Sequence, residues 1–359
     1  MSEIVSEPAR KRGVGRGSRF FVLDRELWEA IWQAPTLNRL NFVTAFLVLL
    51  AGTGADHRLT KWSAKACEER AGMGKPRAKK AIEELIAAKL LERTEASTPM
   101  FPQYRIAEGR STEEPIFLPV QLVTGFGPET PILRRVRETG DAMVLRMLVD
   151  LYGLIEPDAT YGVPLSTLRL FSKSDDPSRK AFETGVHAVW SLELGTWMQG
   201  EGKWRNCHSS ASEEEPFWPR VNKLQNMGAL WFEPWVFGGT EWDSEPLFPV
   251  DLAEVSGNKS PVSDRDTQTL TSLCMQVGSV LAGDRTYLLS ESDSRLFVAL
   301  PIHHGAPALR GVARMRVEPD TPGRRLSYAA RKKKVYNRSS AYRKLLEDAS
   351  VGDFSQPLQ

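Results

Sequence analysis

The stretch ACEERAGMGKPRAKKAIEELIAAKLLER, residues 66–93, constrains the fold of this chain more than any other. Two helix-forming runs are separated only by Gly72-Met73-Gly74-Lys75-Pro76. Glycine ends the first run because it accepts the left-handed backbone that often follows a helix. Pro76 suits the first turn of the next helix, where a missing N–H has no partner to lose. The expected product is two short helices pinned at a fixed angle. In the second, Ala78, Ala81, Ile82, Leu85, Ile86 and Lys89 recur at helical spacing and mark a buried face. Arg77, Lys80 and Glu84 fall opposite, with Lys79 and Glu83 beside them. Lys75, Arg77, Lys79 and Lys80 crowd the N-terminal end, where the helix dipole alone favours acids; a nearby phosphate removes that conflict.

The flanking residues extend the pattern. An apolar helix from about Asn41 to Ala51 is stopped by Gly52 and Gly54. Thr60 is expected to cap a second helix running through Trp62, Ala66 and Cys67 to Ala71. After the basic helix, Leu90 to Thr94 reads as a strand, Ala96 to Pro102 as a loop and Gln103 to Ile106 as a returning strand. Residues 41–107 resemble the winged helix-turn-helix DNA-binding family, with AIEELIAAKLLER as the motif that carries the resemblance. The resemblance implies that Lys75, Arg77, Lys79 and Lys80 face base edges and phosphates, and that Arg93 to Arg105 form a wing.

A second copy is expected over residues 115–240. IFLPVQLV (116–123) echoes FFVLDRELW (20–28), LVDLYGLI (148–155) echoes LVLLAGTG (47–54), and RVNKLQNMGALWFE (220–233) echoes AIEELIAAKLLER. Ile82 and Leu85 match Val221 and Leu224. The growing offset requires an insertion, placed within 172–215. The second basic helix offers Arg220, Asn222, Lys223, Gln225 and Asn226; asparagine and glutamine can pair with adenine, and arginine reads guanine. Seven tryptophans between 190 and 242 are expected to pack across small sheets. Residues 241–285 read as a linker with one helix near Thr267 to Leu281, and RTYLLS, RLFVALPI and ARMRVEP as strands of a smaller C-terminal part, 286–359. Ser339 or Ser340 is expected to cap a last helix. The fold class expected is α+β: two tandem winged-helix domains, 20–110 and 115–240, followed by the linker and the C-terminal part.

Composition sets the broad class. The 359 residues are 41% hydrophobic and 26% charged, the profile of a soluble globular chain. The longest apolar run, Phe42 to Gly52, falls well short of the ~20 residues a membrane span needs. The N-terminus has basic residues without an apolar block behind them, so no secretory signal and no membrane partner are expected. Three widely spaced cysteines suit a reducing, cytoplasmic location rather than a disulfide framework. Net charge is only +2, but the charge is segregated. Arg10, Lys11, Arg12, Arg16 and Arg19 form an acid-free arm within residues 1–19. Residues 324–344 hold nine basic residues, among them Arg331, Lys332, Lys333 and Lys334, again with no acid. Tyr328, Tyr336 and Tyr342 interleave with them. Such runs are the electrostatic footprint of a phosphate-binding chain, although RKKK reads equally as a nuclear-localisation signal.

Catalytic motifs are absent. AGMGKP lacks the first glycine of a phosphate loop and has Pro76 after the lysine, GVGRG at 13–17 follows no strand, and Cys207-His208 and His303-His304 are adjacent rather than spaced as ligands. No cofactor, no metal and no enzyme activity are expected. The sequence therefore points to a site-specific double-stranded DNA-binding protein, a transcription regulator or a replication initiator; the tandem layout resembles plasmid-type initiators in architecture alone. A homodimer, and a protein partner held through the second module, are compatible with this reading. The competing reading is a winged-helix interaction scaffold that binds no DNA.

Overall fold

Residues 42–51 are apolar on every side of a helix, the pattern of a helix buried all round. In the computed structural model they lie in α2 (Arg39–Ala51), preceded by β1 (Phe20–Leu23) and α1 (Arg25–Gln33), and Phe42 to Ala51 are all buried. The Asn38 side chain caps the start of α2 by accepting from the Asn41 N–H, and Gly52 follows its end. The structure describes residues 20–109, 111, 113–155, 162–163, 178–193, 203–204, 215–241, 243–251, 264–283 and 295–350. The chain forms two units, one ending at Arg137 and the other beginning at Glu138. Helices mix with strands that pair only antiparallel among the described residues, which makes the class α+β.

In the first unit, α2 is followed by β2 (Leu59–Thr60), α3 (Ala64–Ala71), α4 (Lys75–Ala87), β3 (Leu91–Arg93) and β4 (Tyr104–Ile106). The three strands form one sheet in the order β2-β4-β3. Thr60 lies in β2, and Ser63 takes the capping role at the start of α3. β5 (Ile116–Pro119), α5 (Gln121–Thr124) and α6 (Ile132–Glu138) come next. β5 pairs antiparallel with β1, Phe21 opposite Leu118 and Leu23 opposite Ile116. FFVL and IFLP are thus two sides of one ribbon rather than the openings of two copies. Their likeness reflects a shared demand for alternating apolar side chains over the same core. The first unit accordingly runs past 110–115 to Arg137.

The second unit contains α7 (Ala142–Gly153), β6 (Ser178–Glu183), β7 (His187–Glu193), β8 (Lys203–Trp204), β9 (Glu215–Pro216), α8 (Phe217–Asn226), β10 (Leu230–Phe237) and β11 (Pro246–Pro249). These are followed by α9 (Arg265–Ala282), β12 (Arg295–Pro301), β13 (Ala308–Met315) and α10 (Pro322–Ser350). Its sheets run β11-β10-β13 and β12-β7-β6, with β8 and β9 as a small ribbon. Phe248, Cys274, Val298 and Tyr342 lie in one apolar core with α9 and α10. β13 pairs with β10 along its whole length, so residues 308–315 share a sheet with 230–237 and do not form a separate C-terminal part. α10 is one continuous helix in which Ser339 is buried, not capping. RTYLLS lies outside the described residues.

The two units share a local backbone pattern where a helix passes into a strand. α4 ends with Leu90 N–H donating to Leu85 O and Lys89 N–H to Ile86 O; α8 ends with Ala229 N–H donating to Leu224 O and Gly228 N–H to Gln225 O. Both helices then enter a strand, at Leu91 and Leu230, through a residue with positive φ, Lys89 at 59° and Gly228 at 67°. The partner strands keep the same register: Leu91 faces Ile106 as Leu230 faces Met315, and Arg93 faces Tyr104 as Phe232 faces Ala313. Thr60 pairs with Tyr104 in the first unit, and Val163 bridges Ala313 in the second. Asn38 caps α2 and Asp141 caps α7 at the same separation as Thr60 and Val163. That spacing matches Leu47 with Asp150 rather than with Leu148. Two insertions distinguish the second unit: β6 to β9 before α8, and β11, α9 and β12 between β10 and β13. They meet where β7 pairs with β12.

Candidate nucleic-acid interface

The turn between α3 and α4 is held from three sides. Gly72 adopts the left-handed conformation at φ 64°, and its N–H donates to Glu68 O at 3.0 Å. Arg137 lays its guanidinium across the end of α3, Nε donating to Ala71 O at 2.7 Å and the second arm to Gly72 O at 2.8 Å. A cation on the last carbonyls of a helix satisfies acceptors that have no partner inside it and opposes the dipole. Met73 is fully buried and pins the middle of the turn. Glycine suits position 72 because the backbone there is left-handed, a conformation a side chain enters only with strain.

From this turn α4 projects with two contrasting faces. Ala78, Ala81, Ile82 and Leu85 are buried; Lys75, Arg77, Lys79 and Lys80 are exposed. Gly74 supplies no side-chain cap, Pro76 sits in the first turn, and no acid lies there. Glu84, expected on the outward face, is half-buried and accepts from Thr36 Oγ1 at 2.5 Å. Lys89, expected on the buried face, lies beyond the helix end and is exposed. Arg93 and Arg105, on β3 and β4, are exposed as well. None of these six cations, Lys75, Arg77, Lys79, Lys80, Arg93 and Arg105, has an acidic partner within 4.0 Å among the described residues.

Between β3 and β4 the loop holds itself together. Thr98 and Phe101 bond reciprocally, Phe101 N–H to Thr98 Oγ1 at 3.0 Å and Thr98 N–H to Phe101 O at 3.1 Å, and Gln103 N–H donates to Ser97 Oγ at 3.0 Å. Met100 and Phe101 stand out at its tip. Burial pushes the Cys67 thiol, on α3, up to about 12, and does the same for Cys274 in the second unit. Both thiols stay protonated and are poor nucleophiles.

In the second unit the two cations of α8, Arg220 and Lys223, are held by an acid. Lys223 donates to Asp141 at 3.0 Å and Arg220 lies 3.6 Å from the same carboxylate. Burial pushes the Asp141 carboxyl up, but the Lys223 hydrogen bond, the Met143 N–H and Arg220 outweigh it and hold it below its ordinary value. Asn222 and Asn226 remain exposed. Arg331, expected on a nucleic-acid surface, is buried: it donates to Glu233 at 2.6 Å, to Asp264 at 2.7 Å and to Thr267 at 3.1 Å. Glu233 also accepts from Trp235 at 2.8 Å and Arg314 at 3.1 Å. Lys334 reaches Pro246 O at 2.5 Å, with Glu245 at 3.5 Å. A buried guanidinium without partners would be prohibitive, so Glu233 and Asp264 explain why Arg331 turns in. Lys332 and Lys333 are exposed, and the arm of Arg10, Lys11, Arg12, Arg16 and Arg19 lies outside the described residues.

Nothing near Arg137 in the sequence marks its role, because the carbonyls it caps lie 65 and 66 residues earlier. Asp141 is equally silent: its partner Lys223 is 82 residues away. Among the described residues, no three His, Cys, Asp or Glu side chains gather as a metal site, and no helix is long and apolar enough to cross a membrane. No known protein family, curated protein or solved structure matches this chain.

Proposed function

We propose that this chain is a site-specific double-stranded DNA-binding protein, with α4 as the helix that enters the major groove and the β3–β4 hairpin as a wing beside it. The carrying observation is the outward face of α4: Lys75, Arg77, Lys79 and Lys80 meet no acid among the described residues, while the opposite face is locked in the core. A helix end that gathers positive charge against its own dipole is relieved by a polyanion. The order α2-β2-α3-α4-β3-β4 with sheet order β2-β4-β3 supports a winged-helix reading of the first unit, and the shared register supports a second, heavily elaborated winged helix in the other. In that second module Asn222 and Asn226 suit base edges better than phosphates. Such a pair of modules suits either a transcription regulator or a replication initiator.

A gel-shift titration against genomic fragments, followed by protection mapping, tests this. Six cations without an acidic partner predict a log–log salt slope of about −5, at roughly −0.9 per phosphate neutralised. Replacing Arg77 and Lys80 by alanine is expected to weaken selected-site binding by about 1–3 kcal/mol for each base edge no longer read, with thermal stability unchanged. Affinity and slope that survive the double substitution would remove α4 as the reader and leave the interaction-scaffold reading in its place.

A further inference from the structure

The basic run of α10 is not absorbed by the duplex-binding face of the first unit. Arg338 lies over the Phe248 and Tyr342 rings, and the other eight cations divide into two sets. Arg324 pairs with Glu318, Arg325 with Asp320, Arg331 with Glu233 and Asp264, and Lys334 with Glu245. Lys332, Lys333, Arg343 and Lys344 are exposed and have no acidic partner within 4.0 Å among the described residues. At 100° per residue these four fall on one stripe about 120° wide, and Tyr336 lies within it, 69% exposed. The first pair of cations is about 16 Å along the helix from the second, at 1.5 Å per residue. Tyr336 stands between them.

We infer that this outer stripe of α10 binds single-stranded nucleic acid, the paired cations gripping the backbone and Tyr336 stacking against an unpaired base. An extended strand spans ~16 Å in two to three nucleotides, so one base falls near the ring while phosphates meet the lysines and arginine at either side. A closed duplex hides its base faces and has no use for a ring raised among cations, and an acidic protein would have no use for its apolar face. The surface lies in the second unit and adds a single-strand activity to the duplex binding proposed for the first.

The test is fluorescence anisotropy of the full chain with a labelled oligodeoxythymidine of about 16 nucleotides. Tyr336→Ala is expected to weaken binding about ten-fold, and Tyr336→Phe to restore it, because stacking needs the ring and not the hydroxyl. Replacing Lys332, Lys333, Arg343 and Lys344 together by alanine should reduce the log–log salt slope by about 3 units, at roughly 0.7 per phosphate on a single strand. All four positions and Tyr336 are exposed, so an unchanged melting temperature is expected and is checked. Arg77→Ala with Lys80→Ala should leave oligodeoxythymidine binding intact, which separates the fate of this surface from that of α4. The inference is overturned by absence of oligodeoxythymidine binding, by a Tyr336→Ala variant that binds as the parent does, or by equal losses on duplex and single strand.

Discussion

Arg105 and Arg314 stand at the same register position in their two units, each opposite the second residue of the strand that follows a helix, Glu92 and Trp231. Arg105 points into solvent with no acid within 4.0 Å among the described residues. Arg314 is buried against Glu233 and Glu318, both at 3.1 Å. The same inversion recurs one helix away: Val43 and Leu47 are apolar core in α2, whereas the matching Arg146 and Asp150 of α7 sit buried 3.6 Å apart. Backbone register survives where side-chain chemistry is reversed. The hydrogen-bonded frame sets where a side chain stands, and partners elsewhere in the unit set whether its charge faces inward or out. In the first unit Arg105 faces solvent; in the second, Arg314 joins distant segments of the chain.

The largest expected effect tests the inward charges. Arg331→Ala takes the partner from Glu233 Oε1, leaving Arg314 and Trp235 on Oε2, and is expected to cost about 2–3 kcal/mol in urea denaturation, whereas Arg105→Ala should change stability by less than about 0.5 kcal/mol. Comparable losses at both sites would erase the contrast. A smaller effect tests the frame itself. Gly228→Lys, which copies the residue at position 89, is expected to destabilise by about 1 kcal/mol, and Lys89→Gly to stabilise by about 0.5–1 kcal/mol, since both positions hold positive φ. Equal signs from the exchange would show that the two helix ends do not share a left-handed backbone.

The smallest effect concerns the caps. Asp141→Asn keeps the hydrogen bond to the Met143 N–H but removes the charge that holds Lys223 and Arg220, leaving α7 with the same cap as α2. A loss of about 0.5 kcal/mol is expected at neutral pH for this partly exposed pair. Because the folded carboxyl lies below its ordinary value of 3.8, the contribution is complete above that value and vanishes as pH falls through the folded one. Parent and variant stability curves should therefore converge in strong acid; a gap that persists there would show that the cap, not the charge, was altered.

Legibility in the sequence followed the range of the interaction. Periodicity placed the buried face of α4 at Ala78, Ala81, Ile82 and Leu85 and turned Lys75, Arg77, Lys79 and Lys80 outward, because helix faces are set by neighbours three and four residues away. Gly72 and Pro76 marked the turn for the same local reason. The inward turn of Arg331 depends on Glu233, 98 residues earlier, and nothing in the basic run reveals it. The apolar echo between FFVL and IFLP misled in the opposite way, since strands that pair with each other resemble one another as readily as repeated strands do. Glu84 went astray because Thr36, which holds it, belongs to a loop before α2.

The strand that completes the second sheet is β13, and its timing differs from that of β4. In the first unit the hairpin closes as soon as residue 106 has been made. In the second, β10 waits from residue 237 until residue 308 for the neighbour it bonds along its full length, and Arg331 follows later still. Non-local pairing of this kind slows folding and leaves an unpaired strand edge exposed meanwhile. During synthesis the first unit can fold while the second still lacks its closing piece, so a ribosome stalled before residue 308 would carry one finished unit joined to another that cannot yet close.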